Sequence, residues 1–184
     1  MSLRKFVKMQ DLFFKIKWVV LVGLVSVVLG CGYAFAPQGE HIDARVKTIY
    51  VEPFANKTAQ AEIENFMRTA FIDHILQYSR FKTVADMEQA DAVISGKILN
   101  LTTLALSYRK SILAAEERMT VILEVSFREK ESGKMLWSSR NVSMTVDYEL
   151  QDDINLLPAT RKRALAKLSA DTAEKAFNMM MANF

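Results

Sequence analysis

Cysteine occurs once in the 184 residues, at Cys31. A lone thiol closes no intramolecular disulfide, so no disulfide framework organises the chain. Histidine occurs only as His41 and His74. An active site gathers titratable groups, and these two fall in different segments. His74 lies beside the apolar stripe of a predicted helix, where a structural role is expected. The six glycines build neither a phosphate-cradling loop nor a Gly-x-Ser-x-Gly elbow. Carboxylates pair in sequence at Asp152-Asp153 and Glu116-Glu117, but adjacent strand residues point to opposite faces. Both pairs read as solvated loop or strand-end charge. The expectation is a protein that is not an enzyme, with no catalytic residue, no metal site and no cofactor.

Excess charge of one sign is also missing from the folded part. The formal net charge is +3, yet residues 1–30 hold five cations against Asp11, a net of +4, leaving −1 on the remainder. No basic footprint is left for a nucleic-acid backbone. Long apolar runs are short as well. The only one, Trp18 to Leu29, falls below the roughly 20 residues a spanning helix needs. With cations before it and small residues near its end it matches the apolar core of a signal peptide. Val28-Leu29-Gly30-Cys31 resembles a lipobox, where diacylglycerol joins the cysteine thiol and the chain is cut before it. Cys31 is therefore the expected lipid-attachment residue and is spent as a nucleophile or metal ligand. Several acyl chains on one residue hold a protein firmly to a membrane. Gly32 stands where an Asp favours inner-membrane retention, which points to the outer membrane. The expected organisation is a signal peptide over 1–30, a lipidated tether over 31–47 and one domain over 48–184.

Within that domain Thr48 to Phe54 is β-rich, with Pro53 marking a strand end or an edge. Asn56-Lys57-Thr58 predicts a turn and helix cap. Ile63, Phe66, Met67, Ala70, Phe71, Ile75 and Tyr78 recur at helical spacing. Val93 to Tyr108 predicts a long strand, with Gly96 a bulge or close-packing point. Met119, Val121, Leu123, Val125 and Phe127 alternate with polar residues in the clearest strand, Glu117 to Arg128. A turn at 131–134 leads to a strand from Met135 to Tyr148. There Trp137 has the opposite parity to Val142, Met144, Val146 and Tyr148, so a bulge is expected near Ser138 or Ser139. Pro158 opens a second helix, lined by Leu165, Leu168, Ala173, Ala176, Phe177, Met180 and Phe184. Its early cations, Arg161-Lys162-Arg163, read as solvated helix surface. The predicted class is α+β: a two-layer sandwich of two helices on a mixed four-stranded sheet, in the order strand, helix, three strands, helix.

Cys31-Gly32-Tyr33 with Phe35, Ile49 to Asn56, Ala90 to Gly96 and Gly133 to Trp137, in that order, resemble the LptE family of lipopolysaccharide-assembly lipoproteins. The resemblance implies a protein of the periplasmic side of the outer membrane that plugs and helps assemble the LptD β-barrel and binds lipopolysaccharide. It also implies a binding role for basic residues after the second strand, here Arg109 and Lys110. Arg offers a planar fork to phosphate and Lys a mobile point charge. The alternative is an accessory lipoprotein of another envelope secretion or efflux complex. An envelope hydrolase is a third reading, ranked last.

Overall fold

The computed structural model describes residues 42–108, 114–151 and 153–182. Strand β1 (Thr48–Val51) is followed by a two-residue strand β2 (Ala55–Asn56), helix α1 (Ile63–Tyr78), a short strand β3 (Lys82–Val84) and the long strands β4 (Ala92–Tyr108), β5 (Ala114–Glu129) and β6 (Met135–Glu149); helix α2 (Leu157–Ala182) closes the chain. The sheet order is β3-β1-β4-β5-β6, with β2 also paired to β4. β1 runs parallel to β3 and β4, whereas β4, β5 and β6 are antiparallel.

The α+β two-layer layout is as the pattern predicts, with six strands where four are expected. The two extra strands, β2 and β3, are too short for periodicity to reveal. β3 also changes the route of the crossover. From α1 the chain returns first to one side of β1, then passes a short 3₁₀ turn (Met87–Gln89) to enter β4 on the other side. Asp91 fixes that entry, its Oδ2 accepting from the backbone N–H groups of Lys47 and Thr48, both at 2.8 Å. These two bonds, Lys47 first, hold its carboxyl below the usual range.

Both helices pack on one face of the sheet. Met119, Val121, Leu123, Val125 and Phe127 are all buried there, with Ile94 and Ile98 alongside. Ile63, Met67, Phe71 and Ile75 of α1 and Leu165, Leu168, Ala176, Phe177 and Met180 of α2 complete that core. Ile42 and Val46, ahead of β1, are buried in it as well. Tyr78 departs from its stripe: it is 66% exposed and its ring lies 4.9 Å from that of His74. Phe184 lies outside the described residues.

β1 stops before Pro53, and the chain then turns Phe54 inward. Its ring lies 5.1 Å from Phe71 and occupies the space above Gly96 so closely that a Cβ there would stand 2.1 Å from Phe54 Cε1. Gly96 is thus the close-packing point. The β6 parity change is real but sits further on than predicted. Leu123 faces Val142 and Val125 faces Ser139, so the extra residue falls at Arg140–Asn141. A second shift follows, with Phe127 opposite Trp137 and Arg128 opposite Met135. The first of these shifts alone puts Trp137 and Val142 on the same, helix-covered side, where both are buried.

The expected cap at Asn56–Thr58 is corrected. α1 begins at Ile63 behind Glu62, which has a left-handed φ of 67° and makes no side-chain cap. Asn56 organises the approach instead. Its Oδ1 accepts from Thr58 N and Oγ1, at 2.9 and 2.8 Å, and its Nδ2 donates to Gln60 O and Glu64 Oε2, both at 2.8 Å. The amide is used for a side-chain turn because four residues still separate Thr58 from the helix.

Candidate functional site

Cys31, Arg109 and Lys110 lie outside the described residues. The strands leading to that basic pair are described: Tyr108 of β4 stands opposite Ala114 of β5. Neighbours β1 and β2 accompany β4 only as far as Ile98. Beyond that point β4 continues for ten residues with β5 alone, and from Leu99 on none of its residues is buried. Leu104, Leu106 and Tyr108 are 62%, 42% and 69% exposed. The distal half of β4 is thus the outer strand of a three-stranded stretch, β4–β5–β6, in which β5 still pairs with β6 as far as Glu116.

Toward the Tyr108 end of this stretch, where Glu117 stands between Ala105 and Tyr148, the structure overturns two expectations. Glu117, expected to be solvated, is only 7% exposed. Arg161, expected to be free helix surface, donates to it from Nη2 to Oε1 at 2.6 Å and from Nε to Oε2 at 3.1 Å. The Tyr148 hydroxyl donates to the same Oε2. The Arg161 guanidinium holds the Glu117 carboxyl below its ordinary range against the opposing effect of burial. Burial and the adjacent carboxylate push the Tyr148 phenol up to about 12. Cations near the start of a helix oppose its dipole; here a buried carboxylate offsets that cost. The cluster ties α2 to the distal ends of β5 and β6. Of the other two cations, Lys162 lies 5.9 Å over the Phe66 ring, and Arg163 donates to Ala159 O at 3.4 Å.

The sheet face turned away from the helices is polar and largely self-paired. Arg118 grips Asp147 with two bonds of 2.7 Å, lowering the aspartate pKa. Lys97 stands 3.7 Å from Glu124 and Arg128 3.3 Å from Glu52. Hydroxyl pairs cross the strands at Ser95–Ser126, 2.8 Å, and Thr120–Thr145, 2.9 Å. Such exposed pairs add little stability each, but they leave a wide surface with its charges matched. The alternation of β5 carried this face in sequence, whereas the partners on β4 and β6 required the registers.

Hollows border the helices. A groove of about 610 Å³ between α1 and α2 is lined by Phe66, Ala70, His74 and Tyr78 beside Asp73 and Glu174. Another of about 580 Å³ lies at the helix N-termini, between Gln60, Thr103, Glu117 and Arg161. His74 also meets Phe177 edge-on at 5.1 Å, and burial lowers its pKa. Among the described residues no cluster of His, Cys, Asp and Glu could hold a metal ion, and no helix is long and apolar enough to cross a membrane.

Comparison with known proteins adds the following. No curated protein matches the sequence. Among solved structures, the fold is similar to uncharacterized lipoprotein B from Nitrosomonas europaea, at 18% identity and a TM-score of 0.46, covering 74% of this chain and 83% of that one. A PelC dodecamer from Paraburkholderia phytofirmans gives 14% identity, a TM-score of 0.48, and coverage of 80% and 96%. A minor lipoprotein from Acinetobacter baumannii gives 12%, 0.44, and coverage of 75% and 92%. The family model described as LptE, lipopolysaccharide-assembly, matches residues 46–180, from just before β1 to the last turn of α2. This chain belongs to the LptE lipopolysaccharide-assembly family.

Proposed function

We propose that the chain is a lipid-anchored outer-membrane protein that plugs and helps assemble an LptD-like β-barrel and binds lipopolysaccharide on its way to the outer leaflet. The observation that carries this reading is the family match, which takes in the whole sandwich. The polar sheet face supports it. The interior of a large transmembrane barrel is polar, and a surface whose charges are already paired can lie against it without stranding an ion. In this reading residues 1–30 are removed as a signal peptide, Cys31 carries the lipid, and residues 31–47 tether the domain over 48–184 to the periplasmic leaflet. Arg109 and Lys110 follow Tyr108 in sequence and supply the phosphate contacts.

Affinity purification of the tagged chain from its Gram-negative host tests the barrel partnership. An LptD-like barrel protein should co-purify, and depletion of the chain should remove lipopolysaccharide from the cell surface. Recovery of a stable, functional barrel without the chain would defeat the proposal. Arg109→Asp tests the lipid site separately: lipopolysaccharide binding should weaken while the fold and the barrel contact persist. Unchanged binding would remove the site and leave the partnership standing.

A further inference from the structure

An exposed strand edge offers unpaired N–H and C=O groups to any other chain, and proteins blunt such edges with short strands, bulges and charges. Two edges of this sheet are blunted. β3 is three residues long and begins with Lys82. β6 is broken by its extra residue at Arg140–Asn141, and Lys175 Nζ donates to Ser143 O at 2.7 Å on its outer side. The third edge is β4 beyond Ile98, where β2 stops. Asn100 to Tyr108 reads NLTTLALSY, without a charge, a proline or a glycine.

The direction of its backbone groups follows from the ladder. Ala115 O accepts from Leu150 N, beyond the end of β6, and Ser143 O, opposite Ile122, points outward to Lys175. Odd-numbered β5 residues therefore turn their backbone groups toward β6, and even-numbered ones toward β4. Leu101, Thr103 and Ala105 stand opposite the odd-numbered Val121, Met119 and Glu117. Their N–H and C=O groups face away from β5, and among the described residues no strand lies beside them.

We propose that this edge receives an extended, uncharged segment of a partner protein as an added strand. Main-chain bonds to Leu101, Thr103 and Ala105 hold it, and the flanking Leu104 and Thr102 side chains read it. A charged segment would meet no counter-ion along this stretch. A second copy paired antiparallel about Thr103 would put its Tyr108 beside Ile98, where Asn56 of β2 already sits, so self-pairing is confined to registers shifted toward Tyr108. The inference deepens the barrel reading and rests on it. A strand in a closed barrel wall has both edges paired, so the occupant is an extended stretch of that partner outside its wall.

Amide hydrogen exchange, on the purified chain and on its complex with the co-purified LptD-like barrel, tests this. In the free chain the amides of Leu101, Thr103 and Ala105 should exchange readily, while those of Thr102 and Leu104, bonded to β5, are protected. In the complex the first three should slow by about 100-fold or more. Thr103→Pro deletes one outward N–H without touching the β5 ladder. It should weaken the complex about tenfold with an unchanged far-UV spectrum. An intact complex in which those three amides stay unprotected overturns the proposal and leaves the barrel reading in place. Wild-type affinity of Thr103→Pro overturns it as well. Protection that rises with the concentration of the free chain assigns the edge to self-association and overturns it too. Failure of any barrel to co-purify removes both readings.

Discussion

Replacing Arg161 with Met should destabilise this protein more than replacing Glu117 with Gln, although the two remove the same ion pair. Glu117 is 7% exposed, whereas half of the Arg161 side chain reaches solvent. Without Glu117, the guanidinium returns to water and the main loss is charged hydrogen bonding. Bonds to ionised groups contribute about 1.5–3 kcal/mol, so Glu117→Gln should cost about 2 kcal/mol. Without Arg161, the carboxylate stays buried with only the Tyr148 hydroxyl to satisfy it. Stranding one member of a buried pair costs about 3–5 kcal/mol, and the lower end applies at this partly open site. Urea unfolding followed by circular dichroism at pH 7 gives both values and, with the double variant, their coupling. The pH dependence has a definite sign. The folded-state pKa of Glu117 lies below its ordinary value of 4.5, so its contribution is complete above that pH. It is lost as pH falls through the folded pKa, because the unfolded chain takes up the proton first. In Arg161→Met the lone carboxylate should titrate upward, so part of the lost stability returns on mild acidification. A coupling below about 0.5 kcal/mol, the scale of an exposed pair, would refute the reasoning, as would equal losses for the two single variants.

Two further outcomes follow from packing and burial. Gly96→Ala should destabilise by about 1–3 kcal/mol, the range for overpacking a core, because the new methyl meets the Phe54 ring; a thermal midpoint equal to wild type would show that the ring moves aside freely. His74 is held neutral by burial, with its pKa below 6.5. The unfolded state therefore binds the proton first, and stability should decline as pH falls below 6.5. His74→Gln should remove that part of the pH profile, and an unaltered profile would locate the titration elsewhere.

Much of the sandwich was legible along the chain. Alternate burial writes a strand's inner face directly into β5, from Met119 to Phe127, and three-and-four spacing does the same for Ile63 to Ile75 and Leu165 to Met180. The parity break after Trp137 announced a β6 irregularity, though side-chain parity alone could not place it to the residue. β2 and β3 went unseen because two or three residues hold no period. Tyr78 was misplaced because a stripe says which residues share a face and not how far the partner surface extends beneath it. For the candidate site, composition showed only that the folded part carries no large excess of one sign. It could not show that Glu117 was buried, since an acidic strand end beside Glu116 looks solvated until its partner is known.

The sequence by itself determined the two helices, the long strands and the family, because these rest on short-range repeats and on the order of local motifs. Only the tertiary structure decided which distant groups meet. Arg161 reaches Glu117 across 44 positions of chain, and Arg118 is matched by Asp147 through the β5–β6 register. The same holds for the distal edge of β4. Its uncharged run is visible in the sequence, but its being unpaired depends on β2 ending at Ile98. A strand's own pattern fixes which way its side chains point, whereas the bonding of its backbone depends on how far its neighbours run.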